Sequence, residues 1–361
     1  MAQTRHAWID ALEALSPKVK ALDLKSSLED IPYWDAATKV AYDADAYNLS
    51  SCDTHNANLA RWIEGLAHHG VDDAQLTKHV TDLTKRNTYG AFAELSAYGF
   101  LLDNDIKFDI QVAMPGADIL NPNGSDLDGR LTISSDVFFD VKAFGLHEYL
   151  SDRLNTLLSA HFPTEFVAIE GSADVGTTNL RQLLGGQDYA DLVSELTTQR
   201  KAQRGNLDIK LFPPQPVQMT TTTANPYELA QNHAEYAFNF AKQFVRAKPF
   251  ILIFVIHPWL GGNRLSTNFA GEADVFTRSL ARRTFMQFDG DMTPLFGTTR
   301  RDAARLLSGI LFIDTWPLPP HRPKHRLFLN PNATNPMPML SRHHLELVSN
   351  LSVDDFRHDT Y

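Results

Sequence analysis

The chain has 361 residues, 43% hydrophobic and 21% charged, with 43 acidic against 33 basic side chains and a formal charge of −10. That composition supports a real hydrophobic core and excludes a largely disordered chain. It also excludes a protein that coats nucleic acid through bulk positive charge, because such binding is driven by Lys and Arg neutralising phosphates.

The single cysteine, Cys52, rules out an internal disulfide framework and a cysteine-built zinc site, and it favours a reducing compartment. The opening segment MAQTRHAWIDALEAL carries acidic residues and no long apolar run, so it does not read as a signal peptide. The longest apolar stretch, PFILIFVIHPWL at 249–260, is too short to span a bilayer. A soluble, cytoplasmic protein without a membrane partner is therefore expected.

Residues 1–86 are predicted to be a mainly helical region. WIDALEAL and LARWIEGLAHH place apolar residues on one helical face, and Asp72 or Asp73 suits the cap of a helix over 74–86. Residues 31–54 are turn-rich. TYGAFAELSAYGFLLDN (88–104) is apolar or small around most of a helix and should be largely buried. Strands are predicted over 106–114, 127–133 and 137–144, the last two joined by a short polar turn at Ser134, Ser135 and Asp136. A helix over 147–162 and a strand over 165–171 follow, then helix over 176–204, ending in a basic run. Further strands are expected at 207–212 and 216–222, and a long helix from Pro226 to about Val245. FILIFVIH (250–257) is β-branched and aromatic throughout and reads as a buried strand. Helices fill 274–306, GILFIDTW (309–316) is a strand, and PLPPHRPKHR (317–326) is a loop. The order of elements predicts a mixed α/β fold, organised as 1–86, a core over 87–261, and a C-terminal α/β elaboration over 262–361 that belongs to the same domain or stands beside it.

Side chains alternate across a strand, so Phe138, Asp140 and Lys142 share one face while Phe139, Val141 and Ala143 share the apolar other. With the turn centred near Ser134, Asp128 falls opposite Asp140. Two carboxylates facing each other repel unless something compensates them. A divalent cation is the natural compensation, and magnesium takes one or two carboxylates together with phosphate oxygens. A lysine beside them can stabilise charge on a phosphate or orient water.

Residues 90–142 resemble the PD-(D/E)XK nuclease superfamily, restriction-endonuclease-like proteins with a mixed-sheet core flanked by helices. Gly90 to Glu94 looks like that family's glycine-to-glutamate helix, Leu127-Asp128 like its aspartate strand, and Asp140-Val141-Lys142 fills its D-x-K position. The resemblance covers about one seventh of the chain. It implies that Asp128, Asp140, the backbone carbonyl of Val141 and Glu94 bind magnesium, for which manganese can substitute. It implies a catalytic role for Lys142, with Glu94, Asp128 and Asp140 as its partners. Leu127 stands where the family has proline, which leaves Asp126 and Asp118 as alternatives to Asp128; the hairpin register favours Asp128.

The function expected is a metal-dependent nuclease acting on nucleic acid, DNA in the first place, as an endonuclease with a restriction or defence-type role. Cleavage of both strands would suit a homodimer. The alternative is a catalytically inactive nuclease-fold module for nucleic-acid binding or assembly. The basic clusters Arg200-Lys201, Arg204, Arg282-Arg283, Arg300-Arg301 and Arg305 read first as solvated helix faces and second as phosphate contacts. The histidine pairs His68-His69 and His343-His344 read as surface residues, and His321 with His325 lies in a proline-rich loop rather than on a helix.

Overall fold

The computed structural model describes residues 4–35, 40–41, 44–85, 88–144, 154–155, 157–171, 180, 182–205, 207–213, 226–256, 270–315, 324–357 and 359. The chain divides into two compact units. The first gathers Met1–Phe144, Ala234–Pro258 and Leu280–Tyr361, and the second Gly145–His233 and Trp259–Ser279.

The first unit opens with the helices α1 (Arg5–Leu15), α2 (Pro17–Ala21), α3 (Ala44–Ser50), α4 (Asp53–His68) and α5 (Asp73–Thr84), with a two-stranded pair β1 (Trp34–Asp35) and β2 (Val40–Ala41) between α2 and α3. Asp72 caps α5, its carboxylate accepting the Gln75 N–H at 2.8 Å. Helix α6 (Tyr89–Asp103) follows and is buried on nearly all sides, as its composition requires. It packs on α4, α5 and the sheet.

Three strands come next: β3 (Phe108–Met114), β4 (Ser125–Leu131) and β5 (Val137–Phe144). They form an antiparallel meander. The chain of the second unit contributes β6 (Phe166–Gly171), β7 (Lys201–Arg204) and β8 (Leu207–Phe212), a separate antiparallel sheet in the order β6-β8-β7. Back in the first unit, β9 (Phe250–Ile256) pairs parallel to β5, with Asp140 beside Leu252 and Lys142 beside Phe254. All seven residues of β9 are buried, which is why this strand reads as an unbroken apolar run. A short hairpin, β10 (Pro294–Leu295) with β11 (Thr298–Thr299), precedes β12 (Gly309–Ile313), parallel to β9. The sheet closes with β13 (His325–Leu329), antiparallel to β12, and β14 (Leu351–Asp354), parallel to β13. The whole is a seven-stranded mixed sheet, β14-β13-β12-β9-β5-β4-β3, flanked by helices. No helix among the described residues is long and apolar enough to cross a membrane.

The mixed α/β expectation holds. The N-terminal helices α4 and α5 pack onto α6, and β12, β13 and β14 hydrogen-bond into the same sheet as β3 to β5. The second compact unit, 145–233 with 259–279, comes mostly from inside the expected core and partly from the expected C-terminal segment. The parallel pairing of β5 with β9 spans over a hundred residues of sequence, and local patterning carries no trace of it.

Four smaller expectations also change. The helix predicted to reach 204 is Gly186–Gln199; it ends at Arg200 in the left-handed region (φ 58°), and Lys201–Arg204 turns back as a strand. The long helix from Pro226 is an α-helix only to Asn232, followed by a 3₁₀ segment, Tyr236–Gln243, whose buried Phe238 and Ala241 lie three apart. His325 and Arg326, read as loop, begin β13. The helix Met339–Glu346 and β14 lie beyond the predicted elements. The predicted strand at 216–222, with 147–153, 176–179, 257–266 and 316–323 (including His321), falls outside the described residues.

Gly129 fixes how closely β3, β4 and β5 approach. A Cβ there would sit 2.3 Å from the Phe139 ring and 2.4 Å from the backbone oxygen of Asp109. The backbone oxygen cannot rotate away, so Gly129→Ala is expected to lower stability by about 2 kcal/mol. The check is the urea midpoint at unchanged m-value.

Candidate functional site

The β4–β5 ladder runs through Leu131–Val137, Arg130–Phe138 and Gly129–Phe139. One step further, at Asp128 and Asp140, the strands part. There the Asp128 side chain replaces the backbone partner: its Oδ2 accepts the Val141 N–H at 2.6 Å. The register thus puts Asp128 against Asp140, as the turn length predicts. Helix α6 closes the gap from the other side. Tyr98 O–H donates to the backbone oxygen of Asp128 at 2.9 Å, and Glu94, one helical turn earlier, interacts with the Asp128 carboxyl.

Asp140 is 1% exposed. Lys142 Nζ lies 2.6 Å from its Oδ2 and 5.3 Å from the centroid of the Phe240 ring. The ammonium makes ion-pair contact but sits off the direction of a hydrogen bond, so Oδ2 of Asp140 is a buried oxygen that accepts none. Glu94, Asp128 and Asp140 thus form a row of closely interacting carboxyls with a lysine at one end and His79 at the other, His79 Nδ1 lying 3.4 Å from Glu94 Oε2.

Buried carboxyls this close together do not all ionise in the same range. Burial, followed by the charges of Asp140 and Glu94, pushes Asp128 up to about 9, against which Lys142 pulls only partly. Asp128 is therefore the protonated member at neutral pH. Burial pushes Glu94 upward as well, but the hydrogen bonds from His79 and Asp128 outweigh it, and Glu94 ends below the ordinary carboxylate range. Tyr98 is pushed well above its ordinary value by burial and by the charges of Glu94 and Asp128, so it stays an O–H donor.

His79, Tyr98 and Gln111 support the cluster and were not singled out in the sequence. His79 is buried at core spacing with Leu76, Val80 and Leu83 on α5, where a histidine reads as packing. Tyr98 sits four residues after Glu94 on the same helical face. Gln111 lies in β3 between the residues that pair with Gly129 and Leu127, in the left-handed region (φ 52°), and its side chain interacts with Tyr98. Tyr98→Phe removes the donor that satisfies the Asp128 carbonyl. It should lower stability by about 1–2 kcal/mol, measured by chemical denaturation.

Asp126 and Asp118 are both exposed, and the contacts of the cluster run through Asp128. Among the described residues, no group of three or more His, Cys, Asp and Glu has the arrangement of a metal-holding set. The donor chemistry of the carboxyls still fits a hard divalent cation: all are oxygens, one is a buried carboxylate oxygen without a hydrogen bond, and Asp128 carries a proton that ligation would displace.

The basic clusters are tied up locally. Arg200 pairs with Glu165, Arg204 with Glu195, Arg282 with Asp359, Arg300 with Glu235 and Asp291, Arg301 with Asp302, and Arg305 with Asp289. These arginines serve the fold surface first. Comparison with protein-family models, with curated proteins and with solved structures finds no match to this chain.

Proposed function

We propose that this protein is a magnesium-dependent nuclease with a restriction-endonuclease-like core, hydrolysing phosphodiester bonds in DNA as an endonuclease of restriction or defence type. The observation that carries this reading is the convergence of Glu94, Asp128, Asp140 and Lys142 on the point where β4 and β5 part, with one carboxyl driven to about 9 by burial and then by its neighbours' charges. Such crowding of like charge costs stability, and groups perturbed in this way concentrate at functional sites.

Asp128, Asp140, Glu94 and the carbonyl of Val141 would hold magnesium or manganese. When bound, a divalent cation polarises a phosphoryl oxygen and makes water more acidic. Asp140, fixed by β5 and buried, has an oxygen that accepts no hydrogen bond and is met only by the Lys142 ammonium. Asp128 must shed its proton before it can ligate. Lys142 presents N–H donors where negative charge grows on the phosphate, its ammonium held between Asp140 and the Phe240 face. His79 and Tyr98 fix the positions of Glu94 and of the Asp128 backbone.

The test is incubation of the full chain with supercoiled, linear and single-stranded DNA and with RNA, in magnesium, manganese or chelator. Nicking or linearisation of DNA that needs the metal is expected. Two-strand breaks would point to a homodimer, to be checked by light scattering. Preference for RNA would reassign the substrate, and intact substrates throughout would contradict the proposal.

A further inference from the structure

The far side of α6 faces a second site. On this helix Glu94 and Tyr98 point to the carboxylate cluster, and Phe92, Ser96 and Phe100 lie about half a turn round. They line a cavity of about 360 Å³ between α4, α6 and the ends of β12 and β13. At ~30 Å³ per water this is about a dozen water volumes, in the lower part of the range of small-molecule sites. It opens beyond the carboxyl end of β12, which runs parallel to β9, and open sheets with parallel strands place ligands at such ends.

Its apolar walls are aromatic. Trp62 is held directly over Gly99, where a Cβ would come within 2.1 Å of the indole, so only glycine admits the ring in this place. The indole N–H donates to Asp103 Oδ2 at 3.2 Å, and Arg61 forks onto the same carboxylate. Phe92 and Phe100 complete the walls.

Its polar lining is incomplete. Ser96 is 2% exposed, and its hydroxyl has no hydrogen-bond partner; the side-chain oxygen of Asn350 is likewise buried without one. His325 is driven down to about 4, chiefly by burial, and so is neutral. The Asp314 N–H donates to its Nδ1 at 3.2 Å, which leaves the ring proton on Nε2. Buried polar groups without partners are costly, and a ligand offering both donors and acceptors would satisfy them.

The charge of the lining narrows the ligand. Asp103 and Asp314 outnumber Arg61, which is already committed to Asp103. A phosphate would be repelled there. A quaternary ammonium would suit the aromatic walls but leave Ser96 and Asn350 unsatisfied.

We propose that this cavity binds a neutral, planar nitrogen heterocycle of nucleobase or nucleoside size, presented without its phosphate. The aromatic walls take the faces of the ring, and Ser96 and Asn350 take its edge. The inference stands apart from the nuclease reading, because it uses none of the cluster's residues.

The experiment is calorimetric titration of adenosine, guanosine, cytidine and thymidine into the full chain, with their 5′-monophosphates and tetramethylammonium alongside. At least one nucleoside should bind, and its monophosphate should bind at least about tenfold more weakly. Ser96→Ala should weaken the nucleoside by about tenfold, one hydrogen bond inside a cavity. Ser96→Leu, shown to be folded by thermal unfolding, should abolish binding. Asp140→Ala should bind as the wild type does, whether or not it cleaves. Displacement by a short single-stranded oligodeoxynucleotide would make a base of a strand the source, and resistance to displacement would make it the free nucleoside; either agrees with the proposal. It is overturned if no nucleoside binds at millimolar concentration, if tetramethylammonium or the monophosphates bind better, or if folded Ser96→Leu binds unchanged.

Discussion

Lys142→Ala is expected to lower metal-dependent cleavage by about 10³-fold, the scale of losing one preorganised group that stabilises transition-state charge, while divalent-cation binding persists. The side chain is placed by two contacts, the Asp140 carboxylate at 2.6 Å and the Phe240 ring. Its backbone is held in β5 by the parallel pairing with β9, Lys142 beside Phe254, so truncation leaves the strand in register. Removing the ammonium also strips Asp128 and Asp140 of the positive charge that partly offsets their repulsion. The ligating residues remain, so turnover should fall and manganese titration should still show a site. Lys142→Arg should recover little, because a planar fork does not replace a compact ammonium in a close contact. Cleavage undiminished in Lys142→Ala would remove the lysine from the chemistry.

Asp128→Asn is expected to make the metal-free protein more stable at pH 8, by several kcal/mol at about 1.4 kcal/mol per pH unit. Asp128 has a folded value of about 9 against an ordinary value of 3.8. Between those values the folded state keeps a proton that the unfolded chain has released. Asp128 therefore contributes a loss of wild-type stability as pH rises from about 4 to about 9, opposite in sign to that of an ion-paired carboxylate; buried His325, driven down to about 4, opposes it up to about 6.5, so the net decline shows above that pH. Asparagine is neutral at every pH and keeps the shape, so the variant lacks this decline. The two proteins should converge as pH falls toward about 4. Magnesium should reverse the order, stabilising the wild type by binding the folded state alone and the variant much less. Thermal unfolding across pH, with chelator or magnesium, reads both effects. A wild type whose stability relative to Asp128→Asn rises from pH 5 to 8 in chelator would contradict the protonated cluster.

Much of this site was legible because its chemistry lies on locally patterned strands. Phe139 and Val141 alternate with Asp140 and Lys142, so VFFDVKAF declares both its buried face and its charged one. The length of the 132–136 turn fixes Asp128 opposite Asp140, and the structure keeps that register. Strand β9 declared itself by composition. What stayed hidden depends on distant contacts. His79 on α5 looks like an ordinary core position, and its role exists only because α5 packs against α6. The left-handed backbone of Gln111 is set by its place opposite Asp128, since nothing in IKFDIQVAM demands it. β13 is five residues long and follows a proline-rich stretch, so its pairing with β12 carries the information that its own sequence lacks. The separate unit within 145–279 is invisible for the same reason.

The central claim is that the cluster at the β4–β5 opening is where phosphodiester bonds are cut. The direct measurement is supercoiled-plasmid cleavage at pH 8 with magnesium, by wild type and by Asp140→Ala purified in parallel and matched for folding by circular dichroism. Wild type should convert the plasmid to open or linear DNA in a chelator-sensitive reaction, and Asp140→Ala should leave it supercoiled. Equal cleavage by the two proteins would place the chemistry elsewhere and contradict the account.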